Sequence, residues 1–311
     1  MVAIGAGALN FIAILTLAML LDALLGEPRW LWSRFPHPAV LMGNLIGWSD
    51  KTFNKGKSKR LKGTVCLLTW LAGAALCGVF LQSLGWFFEI LVAAVLLSHR
   101  SLIDHVQAVA DALRISLGDG RQSVAMIVGR DTKDMDSAAV SRAAIESAAE
   151  NFSDGVIAPA FWFLVAGLPG LLIYKITNTA DSMVGYQTER HGEFGWASAR
   201  FDDLLNLIPA RVTALLFAIT QRQMGVWREI SDDAVLHRSP NAGWPEAALS
   251  RGLGVALAGP RSYDGKASDF PFVNVSGRKS IGPNEIEQAC TALWFGWFAV
   301  VACLCVVWLA F

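Results

Sequence analysis

Three stretches of this 311-residue chain set oxygen-bearing acids beside arginines, a combination that can hold a metal ion against a phosphate group. Arg142, Glu146 and Glu150 fall at i, i+4 and i+8, so one helix face carries all three. Glutamates four apart repel by about 0.2–0.5 kcal/mol unless a cation or an arginine sits between them. Asn151 and Asp154 extend that run in Asn151-Phe-Ser-Asp154-Gly155. The second stretch, Asn178-Thr-Ala-Asp181-Ser-Met-Val-Gly185, follows Tyr174-Lys175; the third is Arg200-Phe-Asp202-Asp203-Leu-Leu-Asn206, ahead of Pro209-Ala-Arg211. Oxygen ligands without histidine or cysteine suit magnesium rather than zinc. Arginines beside them suit phosphate. A solvated helix face at 142–150 and a structural ion-pair network are the alternatives to a metal–phosphate site. Arg200 and Arg211, eleven apart, share a face of a continuous helix, but Pro209 predicts an interruption between them.

The elements that position these residues are membrane helices. Hydrophobic residues make up 54% of the chain and charged residues 17%, against about 25% charged in soluble domains. The 26 basic and 26 acidic residues balance, and with no long basic tail this argues against nucleic acid as partner. Met1 to Leu21 carries no charge, Thr64 to Leu97 only Glu89, and Ala289 to Phe311 none. About 20 apolar helical residues cross a bilayer, which predicts spans at about 3–21, 64–81, 84–98 and 289–311. The first run lacks the basic start and small-residue cleavage site of a signal peptide. Lys51, Lys55, Lys57, Lys59, Arg60 and Lys62 place the loop after it in the cytoplasm by the positive-inside rule. The expected fold is all-α: one polytopic membrane domain over 1–311, with cytoplasmic polar regions at 22–63, 99–155 and 221–288.

The polar regions carry simpler signals. Leu102, Val106, Val109, Leu113 and Leu117 mark an amphipathic helix. Thr132 or Asp136 caps a further helix from about Ser137 to Glu150, and 263–288 reads as loop. Cys66, Cys77, Cys290, Cys303 and Cys305 lie in apolar runs and read as small hydrophobes. The five histidines are scattered; His37, between Pro36 and Pro38, suits a turn or a ligand contact. Phosphate-loop, dinucleotide-binding, nucleophile-elbow and zinc-protease motifs are absent. If 156–174 and 204–220 both crossed the bilayer simply, Asn178 to Asp203 would lie across it from Glu150 and Asp154. These two apolar segments, marked by Gly167-Leu-Pro169-Gly170 and by Pro209 with Arg211, are therefore expected to be re-entrant or buried in protein.

A series of motifs along nearly the whole chain resembles the cobalamin-biosynthesis membrane proteins called CobD or CbiB, the adenosylcobinamide-phosphate synthases. They are Asp22-Ala-Leu-Leu-Gly26-Glu-Pro28, Pro36-His37-Pro38, Val128-Gly-Arg-Asp-Thr132, Glu150-Asn151-Phe-Ser-Asp154-Gly155, Asn178-Thr-Ala-Asp-Ser-Met-Val-Gly-Tyr186, Ala199-Arg-Phe-Asp-Asp203, Pro209-Ala-Arg211 and Ser239-Pro-Asn241 with Glu246-Ala247. Gln187 stands where a lysine is usual, and Ala258-Gly259 replaces paired glycines.

The resemblance implies ATP-dependent amide ligation of the adenosylcobyric acid carboxylate to an amino-alcohol phosphate such as aminopropanol phosphate. It implies a bacterial or archaeal inner-membrane enzyme whose site faces the cytoplasm, with contacts to other cobalamin-assembly membrane enzymes. A corrinoid transporter or a non-catalytic corrinoid-binding membrane protein is the alternative. With ATP and Mg2+ as cofactors, Glu146, Glu150, Asp154 and Asp181 are assigned to the metal. Arg130, Lys175, Arg200 and Arg211 are assigned to phosphate groups, and Asn151, Asn178, Asn206 and His37 to substrate. Asp203 is the expected base, acting with Asp181 and Glu150 in catalysis.

Overall fold

The computed structural model describes residues 6–263 and 266–310. In chain order the helices are α1 (Ala6–Leu25), α2 (Arg29–Trp32), α3 (Pro38–Phe53), α4 (Lys59–Ser83), α5 (Trp86–Leu96), α6 (His99–Ile115) and α7 (Leu117–Val124). They continue with α8 (Ser137–Phe152), α9 (Ala158–Val184), α10 (Trp196–Thr220), α11 (Trp227–Ala234), α12 (Gly243–Leu253) and α13 (Pro283–Ala310). The expected loop over 263–288 instead holds parts of two small antiparallel pairs. Strand β1 (Leu257–Ala258) pairs with β4 (Phe272–Val273), and β2 (Arg261–Tyr263) pairs with β3 (Lys266–Ser268). Burial of Leu257 and Val273 accounts for the first pair.

Among the described residues, five helical stretches are long and apolar enough to cross a membrane: Lys59–Ser83, Trp86–Ile115, Ser137–Val184, Trp196–Thr220 and Pro283–Ala310. The fold is thus that of an all-α polytopic membrane protein. Phe11–Leu25 adds a shorter apolar helix. The chain divides into two compact units. The first comprises residues 1–98, 154–206 and 303–311; the second comprises 99–153 and 207–302.

In the first unit α9 packs against α1, α3, α4 and α5. Its core gathers Ile46, Leu67, Trp70, Ile176, Ala180 and Phe194. The helix breaks where the sequence marked it, at Ala166 and Gly167, with Pro169 just beyond. Gly167 has φ +61°, a region open to glycine and costly for residues with a Cβ. Gly78 of α4 lies at this break. A Cβ there would stand 2.5 Å from Pro169 Cα, on backbone that cannot move aside. Gly78→Ala is therefore expected to destabilise the protein by about 1–3 kcal/mol, read as a lower unfolding temperature in detergent. Gly73→Ala, on the same helix with nothing near its Cβ, should leave that temperature unchanged.

Pro209 does not interrupt α10, contrary to the expectation from sequence. A proline removes the N–H that would bond the carbonyl four residues back, here Leu205. Trp162 Nε1 donates to that carbonyl at 3.1 Å, so the gap in the ladder is filled from α9. Pro159 works in the same way at the start of α9. Gly155 O, left without its helical partner, accepts from Ser98 N at 3.2 Å and Ser98 Oγ at 3.1 Å.

In the second unit α8 packs on α6, α7, α12 and β1. Asp136 caps it, its Oδ1 accepting from Ala139 N at 2.7 Å. The alanines of α8 let its neighbours approach, and nearly the whole helix from Val140 to Ala149 is buried. His99 is fully buried among aromatic rings, stacked on Trp297 and edge-on to Trp294.

Candidate functional site

The thirteen residues singled out by sequence fall into two clusters, one in each unit. His37, Asp154, Lys175, Asn178, Asp181, Arg200, Asp203 and Asn206 belong to the first unit. Arg130, Glu146, Glu150, Asn151 and Arg211 belong to the second.

The first cluster is built on α9 and α10. Tyr174, Asn178 and Asp181, at i, i+4 and i+7, share one face of α9. Asp202 and Asn206, one turn apart on α10, lie opposite. Asn206 Nδ2 donates to Asp202 Oδ2 at 2.9 Å, and Asn178 Nδ2 lies 3.5 Å from Asp202 Oδ1. Tyr174 is fully buried; its Oη lies 3.0 Å from both Asn206 Oδ1 and the main-chain oxygen of Asp154. That carbonyl sits in a π-helical turn, Ser153–Ile157, where the ladder is widened. Asp202 is thus the centre of the network, although the sequence favoured its neighbour Asp203. Burial distinguishes them, since Asp202 is 8% exposed while the Asp203 side chain is 31% exposed. Periodicity on α10 was the available signal, because 202, 206 and 209 lie on the inward face.

Around this network stand the cations. Arg200 is exposed and pairs loosely with Asp203 at 3.6 Å. Lys175 lies in the field of Asp154, Glu27 and Asp22. His37 caps α3, its Nδ1 accepting from Ala39 N at 3.2 Å, and its ring meets Trp32 edge-on. Burial holds it below the ordinary histidine range, against an upward pull from Glu27. The turn role of His37 is therefore realised, at a position that also feels Lys175.

The second cluster centres on Glu146, which is 5% exposed. Its Oε2 accepts from Arg130 Nη2 at 2.8 Å and pairs with Arg261 Nη1 at 3.4 Å; its Oε1 accepts from Ala258 N at 2.7 Å. Arg130, Arg142 and Arg261 line a cavity of about 240 Å3 between α8 and the β1–β2 segment, together with the acids Asp131, Asp134, Asp136 and Glu146. Glu146, expected to bind metal, holds two guanidinium groups and a peptide N–H. Arg261 was missed by sequence because no spacing on α8 points to a residue 115 positions later.

The remaining predicted residues of this unit differ in what occupies them. Glu150 is exposed on α8. Asn151 Nδ2 donates to Ser147 O at 2.8 Å, so its amide is engaged by its own helix. Arg211 donates to Leu207 O at 2.7 Å, reaches Asn241 Oδ1 at 3.3 Å and lies over the Trp244 ring. These contacts position Arg211 as an anchor of α10 to the Asn241–Trp244 segment.

Glu246, quoted in the resemblance without a role, is 2% exposed, with Oε1 3.7 Å from His237 Nε2 and Oε2 lacking a hydrogen-bond partner. Burial, reinforced by the charges of Glu146 and Glu150, raises its carboxyl well above the usual range. Burial lowers His237, with Arg261 acting in the same sense. A carboxyl raised in the folded state gives its full relative stability below the unfolded value of about 4.3, which is lost as pH rises toward the folded value. Glu246→Gln is therefore expected to leave stability near that of the wild type at acid pH. Its advantage over the wild type should grow between pH 5 and pH 8, measured by thermal unfolding across that range. An unchanged difference would refute a raised Glu246.

Metal chemistry fits the donor types only in part. Among the described residues no three histidine, cysteine, aspartate or glutamate side chains converge as a metal cage. Asp181 and Asp203 lie in each other's field in the first cluster. Magnesium takes one or two carboxylates and fills its remaining positions with water and substrate phosphate. A single carboxylate such as Asp181 therefore fits magnesium bound together with a phosphorylated substrate.

A protein-family model described as CobD/Cbib protein matches residues 15–293. The "Cobalamin biosynthesis protein CobD" of Rhizobium meliloti is 48% identical over 304 residues, covering 92% of this chain and 93% of that protein. The proteins of that name in Brucella suis and Rhodobacter capsulatus are each 45% identical, covering 90% and 86% of this chain and 92% and 88% of theirs. No solved structure matches the chain. The match across most of the sequence places this chain in the CobD/Cbib family.

Proposed function

We propose that this protein acts in cobalamin biosynthesis as an ATP-dependent acid–amine ligase. It joins the carboxylate of adenosylcobyric acid to an amino-alcohol phosphate, such as aminopropanol phosphate, giving adenosylcobinamide phosphate. The observation that carries this reading is the cavity of Arg130, Arg142 and Arg261, two of whose guanidiniums are held in place by buried Glu146. Cations fixed before a ligand arrives suit a phosphate group with little reorganisation.

The reaction uses two phosphate-bearing substrates, and the chain has two clusters that combine cations with acids. The arginine cavity of the second unit suits a phosphate group. Asp181, with Lys175 and Arg200, serves ATP; magnesium held there would neutralise phosphate oxygens. The corrinoid carboxylate takes the terminal phosphoryl group and ADP leaves. The amine nitrogen then forms a bond to the acyl carbon, phosphate departs, and the amine proton passes to Asp203. The basic segment Lys51–Lys62 orients the protein with its polar regions in the cytoplasm.

Membranes containing the protein, supplied with adenosylcobyric acid, ATP, magnesium and an amino-alcohol phosphate, should form the amide and release ADP and phosphate in equal amounts. Absence of product with every amine tested, together with ATP-independent corrinoid uptake into vesicles, would replace this reading with a transporter.

A further inference from the structure

The first unit has a groove that neither cluster uses. It lies along α3 and α4, closed at its base by Leu172 and Ile176 of α9, with a volume of about 860 Å3. Its wall is apolar apart from Lys62, the hydroxyls of Ser49 and Thr69 and the indole N–H groups of Trp48 and Trp70. Both hydroxyls are engaged, since Ser49 Oγ donates to Leu45 O and Thr69 Oγ1 to Val65 O, each at 2.9 Å. A corrinoid, rimmed by carboxamides, would meet only Lys62 and two indole N–H groups there, and leaving most of its amides unbonded is costly.

We propose that this groove seats one acyl chain of an anionic phospholipid, whose phosphate rests on the basic collar at the groove's end. Lys62 lines the groove itself and donates one of its three N–H bonds to Lys55 O at 2.7 Å, leaving two for a ligand. Lys51, Lys55, Lys57, Lys59 and Arg60 lie in the same segment, and no acidic residue occurs between Lys51 and Phe88. The nearest acid in sequence, Asp50, is buried and paired with Arg190. This uncompensated positive charge selects an anionic headgroup over a second copy of the chain, which would bring six like charges of its own. From Lys62 to Cys77 the groove follows α4 for about 22 Å at 1.5 Å per residue. That exceeds the depth of one leaflet, about 15 Å of hydrocarbon.

Native mass spectrometry of the full chain, released from bilayers of equal phosphatidylglycerol and phosphatidylcholine, tests this. The wild type should retain phosphatidylglycerol preferentially. Lys59→Gln and Lys62→Gln should each cut that preference about fivefold, the effect of one basic charge near an anionic surface, without reducing the number of lipids held. Gly73→Phe should lose the retained lipid. Gly73 lines the groove and a Cβ there meets nothing within 4 Å, so the ring fills the acyl position without disturbing the wall. Equal retention of both lipids by the wild type, or unchanged retention in Gly73→Phe, would overturn the proposal. So would a lipid-free dimer that Gly73→Phe converts to monomer, since the occupant would then be a second copy.

Discussion

Glu146→Ala lowers stability by about 3–5 kcal/mol, the cost of breaking a buried ion pair from one side, and added magnesium does not restore it. The variant takes one buried carboxylate from Arg130 and Arg261, whose side chains are 8% and 11% exposed, and leaves Ala258 N without its acceptor. Three groups lose one partner at once, which makes this the largest single-site effect expected in the second unit. Thermal unfolding in detergent, with and without millimolar magnesium, reads it. Had Glu146 been a metal ligand, its loss would weaken magnesium dependence while leaving the metal-free protein as stable as before. A double-mutant cycle with Arg130→Ala should show strong coupling, because both substitutions break the same contact.

Asp203→Asn is expected to reduce amide formation about 10²–10⁴-fold, the range for loss of a positioned general base, with little change in unfolding temperature. Its side chain is 31% exposed and its pairing with Arg200 is long. Asp202→Asn should behave differently. Asp202 accepts from Asn206 and faces Asn178, so an amide there sets a donor against a donor, an unsatisfied arrangement costing about 1–3 kcal/mol. That variant should lose both activity and stability. Asp181→Asn should follow Asp203→Asn. Full activity in Asp203→Asn would remove it as the base, and an unaffected melting temperature in Asp202→Asn would mean that the network around Tyr174 does not depend on its charge.

What the sequence revealed of this arrangement follows the range of the interactions. The uncharged runs, the Asp136 cap, the acid–arginine stretches and the break near Gly167 are local, and each was readable from spacing and residue type. The continuity of α10 through Pro209 was not, since it rests on an indole that reaches Leu205 O from another helix. The part played by Glu146 was equally hidden. Its partners come from two separate stretches, Arg130 from one and Ala258 with Arg261 from the other, and a glutamate held by two arginines reads on its own helix face like a free carboxylate. Asp202 and Asp203 are adjacent in sequence, so only the burial of α10 distinguishes the buried hub from the more exposed acid.

The division of the chain also bears on how the protein is made. The first unit takes residues from three separate segments and the second from two, and these alternate along the sequence. Domains ordinarily fold as units, the N-terminal one first, while synthesis continues. Here the ribosome delivers the first 98 residues, then a stretch belonging to the other unit, before α9 can fill the place that α4 leaves for it. Neither unit is complete when the chain reaches Asn206. Gly78 thus waits, through the synthesis of α5 to α8, for the broken helix that fits against it. An arrest anywhere in that interval leaves α4 in the membrane with its long-range partner unmade.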